Sequence, residues 1–208
     1  MKILAHRGWW LAESEKNTMR AFVRALEAGF GIETDVRDCS GSLVICHDPP
    51  AGNALAVEGL LAECRSTSTT VAINIKADGL QDELKELLDR YQIKDYFLFD
   101  QSVPDAIQSL RRGLRVFTRQ SEYEPAPAFY AWAQGVVLDG FLGDWADSNT
   151  VKGHLSEGKE VCLISPDVHK RAYLSLWTQW RRWSHSDRIM LCTDRPQEAC
   201  DTMQQTGQ

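Results

Sequence analysis

The sequence predicts an α/β protein, a compact (β/α)8 TIM barrel with a small hairpin inserted after its second strand. Short apolar runs alternate with amphipathic stretches eight times, which favours a parallel sheet covered by helices. Several runs end in polar residues that can carry chemistry, and barrel enzymes place their sites at such strand ends. The 208 residues suffice for a single domain, 1–208, near the lower end of the size range of this fold.

The predicted strands are short, mainly apolar runs. The first contains Ile3-Leu4-Ala5 and leads into His6. A turn at Ser40-Gly41 separates the second strand from the inserted hairpin strand at 43–47. The eight barrel strands are predicted at 2–6, 31–36, 70–76, 96–99, 114–118, 135–139, 160–164 and 188–192.

The predicted helices follow from apolar spacing and from capping residues. Asn17 or Thr18 lies near the cap of the first helix, and Gly29 comes just after its end. Pro104 suits the first turn of the fourth helix, which ends by Gly113. The remaining helices are predicted from the same patterns. The first three and last four helices are predicted at 17–28, 55–64, 80–91, 127–133, 148–157, 168–182 and after Pro196.

The composition disfavours several classes of partner. The formal net charge of −6 provides no basic footprint for nucleic acid or for an anionic membrane. No apolar run approaches the roughly 18 residues of a transmembrane helix, and the chain starts like a strand and not like a signal peptide. Six cysteines without metal-binding spacing favour free thiols in a reducing cytoplasm. We therefore expect a cytoplasmic protein with no nucleic-acid partner and no stable membrane anchor, whose oligomeric state stays open.

Two carboxylates lie two positions apart in the second predicted strand. Glu33 and Asp35 point to the same face, because strand side chains alternate. If that face lines a barrel, one of the two carboxyls is forced to protonate unless a cation lies between them. Mg²⁺ or Ca²⁺ prefers such oxygen ligands. An edge strand with both acids facing water explains this pair alone equally well.

Two histidines follow apolar runs on either side of the acid pair. A single histidine at a strand end is more often structural, but His6 and His47 together can supply a general base and a general acid near neutral pH. Arg7 adds a planar donor group suited to a phosphate. Carboxylates for a cation, two histidines and an arginine together indicate phosphoryl-transfer chemistry.

The ordered motifs His6-Arg7-Gly8, Asn17-Thr18, Glu33-Thr34-Asp35-Val36 and His47-Asp48 resemble those of the glycerophosphodiester phosphodiesterase family. This family belongs to the phospholipase-C-like phosphodiesterase barrels. The resemblance implies metal-dependent hydrolysis of a small-molecule phosphodiester, with a place in lipid metabolism. It implies that His6 and His47 form the acid/base pair, that Glu33 and Asp35 bind the metal and that Arg7 contacts the phosphate. Thr193-Asp194-Arg195-Pro196 resembles the end of the family's barrel, so the resemblance extends over the chain.

The third strand departs from the family pattern Glu-x-Lys. Lys76 matches and is expected to bind phosphate or to balance the acid pair, but Asn74 replaces the acid. The amide oxygen of Asn74 can ligate Mg²⁺ or Ca²⁺ without contributing charge. The site would then hold its metal more weakly, or recruit Asp100 or Asp139 from later strand ends.

The loop after Gly8 is also one residue longer than the family pattern and carries Trp9-Trp10. Trp9 is expected to cover the glycerol or the alcohol part of the substrate. Histidines 154, 169 and 185 lie in polar surroundings and receive no role.

Two other hypotheses compete with the phosphodiesterase. Asn74 supports a diverged barrel that binds a phosphorylated ligand with weak or no hydrolysis. A cation-dependent lyase or aldolase would use Glu33 and Asp35 to stabilise an enolate, although the His-Arg-Gly and His-Asp motifs argue against it. Attack by water and attack by a substrate hydroxyl, which gives a cyclic phosphate, both remain open.

Overall fold

The computed structural model describes residues 1–50 and 54–205, so 51–53 and 206–208 of the predicted domain lie outside the described residues. The described chain is a mixed α/β protein in which strands and helices alternate. Its strands are β1 (Lys2–His6), β2 (Gly31–Cys39), β3 (Ser42–Ile45), β4 (Leu55–Ala56), β5 (Val71–Ile75), β6 (Tyr96–Phe99), β7 (Phe117–Gln120), β8 (Gly135–Leu138), β9 (Glu160–Ile164) and β10 (Ile189–Thr193). Its α-helices are α1 (Met19–Glu27), α2 (Val57–Cys64), α3 (Gln81–Arg90), α4 (Val103–Arg111), α5 (Ser148–Ser156), α6 (Leu174–Trp180) and α7 (Pro196–Gln204).

One sheet contains all of these strands. Its parallel strands pair in the order β6-β5-β2-β1-β10-β9-β8-β7, and β3 and β4 extend β2 as an antiparallel insertion. The two ends of the parallel series, β6 and β7, meet at a single parallel bridge between Leu98 and Val116. There the Leu98 amide donates to the Arg115 carbonyl at 2.8 Å.

The core has two parts because successive strand residues face opposite sides of the sheet. Ile3 and Ala5 pack with the helices, whereas Leu4 between them joins a cluster of strand residues alone. In that second cluster the rings of Phe97 and Phe117 stack with centroids 4.0 Å apart, across the β6–β7 contact. Apolar packing thus supports the point where the backbone pairing is sparsest.

The first helix is fixed against β1 by its cap and by a glycine. The Thr18 side chain accepts a hydrogen bond from the Ala21 amide and is the N-cap of α1. Gly8 adopts a φ of 83°, and a Cβ there would lie 2.8 Å from the Ala21 Cβ. Only glycine allows both this backbone conformation and this close approach, which sets where the residues after His6 point.

Most predicted elements are present with ends shifted by one to three residues, but two helices are wrong as predicted. Residues 127–133 form turns, in which the Trp132 and Ala133 amides both donate to the Phe129 carbonyl. The helix predicted at 168–182 begins only at Leu174, because Pro166–His169 is a 3-10 turn and Lys170 adopts a left-handed φ of 58°.

The strand predicted at 114–118 begins at Phe117 instead. The Leu114 amide donates to the Ser109 carbonyl, so this residue caps α4 and does not enter the ladder. The two-residue strand β4 was not expected, and the helix predicted from residue 55 therefore starts at Val57.

All six cysteines are free, and Cys64, Cys162 and Cys192 are buried. Across residues 1–50 and 54–205, the structure contains no helix with the length and apolar character needed to span a membrane.

Candidate active site

The carboxyl ends of the parallel strands surround a polar cavity of about 300 Å³. An adjoining cavity of about 620 Å³ shares Arg7, Lys16 and His47 with it. A wider surface cavity, about 730 Å³, lies beside Met1 and α7, but its described lining holds no carboxylate. The polar cavity, called the pocket below, is therefore the candidate active site. It is lined by His6, Arg7, Lys16, Glu33, His47, Asn74, Lys76, Phe99, Asp100, Asp139, Phe141, Ile164, Val168, His169 and Cys192.

Strand register brings the predicted residues together. His6 of β1 is the pairing partner of Glu33 of β2, and Asp35 of β2 is the pairing partner of Asn74 of β5. Paired residues in neighbouring parallel strands lie side by side and point to the same face of the sheet. His6 and Asn74 therefore point to the same face as Glu33 and Asp35.

The His6 ring is held between two carboxylates. Its Nδ1 lies 2.6 Å from Asp194 Oδ1, and its Nε2 lies 3.8 Å from Glu33 Oε2. Because a carboxylate accepts, Nδ1 carries the proton and Nε2 is the nitrogen available for proton transfer. Burial of the ring opposes its charged form, but Glu33 and Asp194 outweigh this effect and hold the pKa of His6 above its ordinary value.

The two acids of β2 are almost fully buried, and their surroundings differ. Burial raises the pKa of the Glu33 carboxyl; the adjacent Asp35 acts in the same direction and His6 opposes it. The Glu33 carboxylate accepts a hydrogen bond from the Arg7 amide at 3.2 Å.

Asp35 is surrounded by donors. Asn17 Nδ2 donates to its Oδ2 at 2.9 Å, and Arg7 Nε lies 2.9 Å from the same atom. Lys76 Nζ lies 3.3 Å from Asp35 Oδ1. The Arg7 and Lys76 contacts lack hydrogen-bond angles and are therefore ion pairs, which balance the buried charge. Within the described chain the Nη groups of Arg7 donate to no protein atom, so they are available to an anion.

The oxygen atoms around Asp35 are of the chemical type that binds a hard cation. Asp35 Oδ1 and Asn74 Oδ1 are both buried and accept no hydrogen bond within the described residues. Together with the Glu33 carboxylate they offer an oxygen-only donor set, the kind that Mg²⁺ and Ca²⁺ prefer. No group of three His, Cys, Asp or Glu side chains suited to a metal ion occurs in residues 1–50 and 54–205, so a set built on Glu33 and Asp35 would take its third donor from the Asn74 amide.

His47 also reaches the pocket, from the segment after β3. Its side chain is 46% exposed, and its Nδ1 lies 2.9 Å from Asp48 Oδ1. His6 is thus enclosed and fixed, whereas His47 lies at the solvent-facing edge.

Trp9 does not line the pocket. Its ring packs edge-on against Phe30, with centroids 5.6 Å apart, and contacts the core between β1 and α1. The turn through Gly8 directs the loop this way.

Several residues in or next to the pocket had no predicted role. Asp194 was visible in the Thr-Asp motif and orients His6. Lys16 precedes the Asn-Thr motif, and its Nζ lies 4.0 Å from Asp194 Oδ2. His169 enters the pocket through the 3-10 turn that replaces the predicted helix, and it contacts Asp139. Asn74, which replaces the acid of the family pattern, is hydrogen-bonded to a nearby acid: its Nδ2 donates to Asp100 Oδ2 at 3.1 Å.

Solved structures of known enzymes share this α/β fold. Glycerophosphodiester phosphodiesterase from Agrobacterium tumefaciens matches with a TM-score of 0.73 and 19% identity, over 97% of this chain and 98% of that chain. A phosphodiesterase from Oleispira antarctica, whose structure contains the product sn-glycerol-3-phosphate, matches with a TM-score of 0.72 and 15% identity, over 99% of this chain and 97% of that chain. Neither protein-family models nor curated proteins give a match. At these identities the likeness establishes the fold.

Proposed function

We propose that this chain is a metal-dependent glycerophosphodiester phosphodiesterase, a phosphoric diester hydrolase with a small-molecule substrate. The main support is His6, which is paired with Asp194 and shares one pocket with the buried acid Glu33 and the cationic side chains of Arg7 and Lys76. Two solved structures that match over nearly their full lengths are phosphodiesterases. This likeness favours turnover over a role limited to ligand binding. It leaves the lyase or aldolase hypothesis without support.

We also infer that the parallel strands close into an eight-stranded barrel forming a single domain, 1–208. The Leu98–Val116 bridge and the stacked Phe97 and Phe117 rings at the β6–β7 contact support closure. The free and partly buried cysteines fit a reducing cytoplasm.

The proposed roles follow from geometry. The Arg7 guanidinium and the Lys76 ammonium bind the phosphate and offset the charge that develops on its oxygens. His6 exchanges a proton through Nε2, while Asp194 fixes its tautomer and its ring orientation. His47, at the exposed edge, exchanges the second proton. Between them the two histidines deprotonate the attacking hydroxyl and protonate the leaving alkoxide.

Glu33, Asp35 and Asn74 would hold a divalent cation, with Mg²⁺ and Ca²⁺ the best fit to an oxygen-only set. When bound, the cation supplies additional neutralisation of the phosphate charge. The neighbouring Oleispira structure contains the product sn-glycerol-3-phosphate. By analogy we propose that this chain retains the glycerol phosphate half of a glycerophosphodiester while the other alcohol departs.

The first test measures alcohol release from glycerophosphocholine, glycerophosphoethanolamine and bis-(p-nitrophenyl) phosphate, first in EDTA and then with added Mg²⁺, Ca²⁺ or Mn²⁺. We expect metal to restore turnover. His6→Ala or His47→Ala should lower kcat by about 10²–10⁴-fold, the usual scale of general acid–base catalysis.

His185→Ala is the matched control, because His185 lies in an exposed segment and lines the surface cavity beside α7, away from the pocket. Near-normal turnover in both His6→Ala and His47→Ala would exclude the acid/base pair. Full activity in EDTA would exclude a requirement for a metal ion.

A further inference from the structure

Among the pocket residues outside the proposed acid/base pair and the proposed cation site, four form a group on the later strands. They are Asp100, Asp139, Phe141 and His169, and we call them the second wall. Asp100 and Asp139 directly follow β6 and β8, Phe141 follows two residues later, and His169 ends the 3-10 turn after β9. The second wall therefore lies at the carboxyl ends of the strands, as the rest of the pocket does, but on later strands.

Asp139 is a fixed hydrogen-bond acceptor. Its Oδ1 accepts from His169 Nε2 at 2.7 Å, its amide donates to the Gln120 carbonyl at 3.1 Å, and its carbonyl accepts from Trp145 Nε1 at 2.6 Å. The residue is 9% exposed. Its second oxygen, Oδ2, has no hydrogen-bond partner within residues 1–50 and 54–205. A buried carboxylate that is held on three sides and lines the pocket leaves this oxygen for a ligand.

Asp100 differs from Asp139 because both of its oxygens are engaged. Arg119 Nη1 donates to Oδ1 at 3.0 Å, and Asn74 Nδ2 donates to Oδ2 at 3.1 Å. Arg119 also balances the charge of Asp100. Asp139 is accordingly the carboxylate of the second wall with an unused acceptor.

The loop that carries Phe141 is also held in place. The Glu122 carboxylate accepts from the amides of Phe141, Leu142 and Gly143, at 3.1, 2.5 and 3.4 Å. The Phe141 ring lies against His169, with centroids 5.4 Å apart. The second wall thus pairs one apolar surface with one acceptor, the usual composition of a site that binds a small organic group and fixes its orientation.

Building on the proposed function, we propose that the second wall binds the leaving alcohol of the diester and that Asp139 selects alcohols that donate a hydrogen bond. The favoured substrates are diesters whose alcohol carries a free hydroxyl or a primary ammonium group. A trimethylammonium group has no N–H and leaves Asp139 Oδ2 without a partner. His169 is a positioning residue, because it holds the carboxylate through Oδ1.

Glycerophosphoethanolamine and glycerophosphocholine provide a matched pair of probes, since they differ only in the three methyl groups on nitrogen. We expect the wild-type protein to hydrolyse the ethanolamine diester with a kcat/KM at least ~10-fold above that for the choline diester, because a site built around a hydrogen bond discriminates against a ligand that cannot donate it. Glycerophosphoglycerol, which donates through hydroxyls, should group with the ethanolamine diester.

Asp139→Asn changes the free acceptor into an amide of the same shape and should lower the ethanolamine-to-choline ratio of kcat/KM by ~10-fold. His169→Gln should lower the same ratio by disturbing the carboxylate, an effect that a purely structural role would not produce. Asp201→Asn, an identical substitution on the exposed face of α7, is the control and should keep the wild-type ratio.

A wild-type ratio near one would overturn this inference while leaving the phosphodiesterase intact, and it does so even if Asp139→Asn fails to fold. A folded Asp139→Asn protein with an unchanged ratio would overturn it as well. Wild-type protein that hydrolyses none of the three diesters with any metal would overturn the proposed function, and this inference with it.

Discussion

Asn74 contributes a neutral amide at a point where charged groups are crowded. Its Nδ2 donates to Asp100, and its strand partner is Asp35. The amide thereby lies between the buried Asp35 and the partly buried Asp100 without adding a third negative charge, which would cost several kcal/mol at short range unless a cation compensated for it.

We predict that Asn74→Glu increases the affinity for Mg²⁺ or Mn²⁺ by about 10-fold or more, because a third carboxylate adds charge to the oxygen donor set. In EDTA the same variant should unfold at a lower temperature than the wild type, since the new carboxylate faces Asp100 and Asp35. Calorimetric titration and thermal unfolding measure the two effects without relying on turnover.

Asn74→Gln is the matched control for this variant, because glutamine has the length of glutamate and the charge of asparagine. Equal metal affinity in the Glu and Gln variants would show that residue 74 does not contact the cation.

The site residues that the strand period predicts are those inside strands, whereas Arg7, His47 and Lys76 lie beyond strand ends and were predicted from motifs. Glu33 and Asp35 follow from the two-residue period of a strand, and their pairing with His6 and Asn74 follows from parallel register. Residues beyond the strand ends depend on turn conformation, which the apolar pattern does not specify. Trp9 turns away after Gly8, whereas His169 enters the pocket before the left-handed Lys170.

At the scale of elements, the contact between β1 and α1 decides where the first site residues lie. The Trp9 amide donates to the Ala21 carbonyl at 3.0 Å, and the Asn17 amide donates to the Arg7 carbonyl at 2.9 Å. The strand, its turn and the helix cap are thus one hydrogen-bonded unit, and Gly8 lies at its tightest point.

We predict that Gly8→Ala destabilises the protein by about 2–4 kcal/mol. Roughly 1 kcal/mol comes from the left-handed backbone, and roughly 1–3 kcal/mol comes from the clash of the new Cβ with Ala21. Gly29→Ala is the matched control: its φ of 77° is also positive, but a Cβ there would have nothing within 4 Å. Chemical denaturation of both variants measures the difference, and equal losses would show that the close approach is relieved without cost.

The boundaries of some helices and strands could be predicted from the sequence, and those of others could not. Runs such as 96–99 and 160–164 match their strands because apolar residues and turn residues agree on the boundaries. The pattern at 168–182 also suits a helix, but Pro166 and the left-handed Lys170 form a separate turn first. Local conformation of this kind follows from tertiary contacts, including the hydrogen bond of Asp167 with Thr193.

At the scale of the whole molecule, an acidic chain concentrates cationic groups at one pocket. The net charge is −6, yet Arg7, Lys16 and Lys76 all line the pocket, and Arg119 lies next to it. Their partners Asp35, Asp100 and Asp194 are buried or nearly so, and they hold these cations in place. An anion entering the pocket would thus meet cationic groups held in place by carboxylates, within a chain whose net charge is negative.

Stability of the whole molecule should depend on pH through His154. This buried ring accepts from the Tyr130 hydroxyl at Nδ1, 2.9 Å away, and donates from Nε2 to Gln120 Oε1 at 2.8 Å. The Tyr130 bond requires the neutral ring, because a protonated Nδ1 can no longer accept from the hydroxyl, whereas Nε2 donates to Gln120 in either state. Burial, with a smaller contribution from the Lys159 charge, lowers the pKa of His154 in the folded protein.

A histidine with a lowered pKa in the fold binds its proton more readily in the unfolded chain, where its pKa is about 6.5. Its contribution to stability is therefore complete above about pH 6.5 and is lost as the pH falls below that value. We predict that wild-type protein loses more thermal stability between pH 8 and pH 5.5 than His154→Gln does, by about 2–4 °C for each kcal/mol of this linkage.

Other groups titrate over the same interval, so the informative quantity is the difference between variants and not the wild-type curve alone. His6, whose pKa is raised in the fold, acts in the opposite direction and is common to both proteins. His185→Gln removes an exposed histidine and should keep the wild-type pH dependence. If His154→Gln and His185→Gln lose stability equally as the pH falls, then His154 tolerates its proton in the fold, and the contact of α5 with Tyr130 does not require a neutral ring.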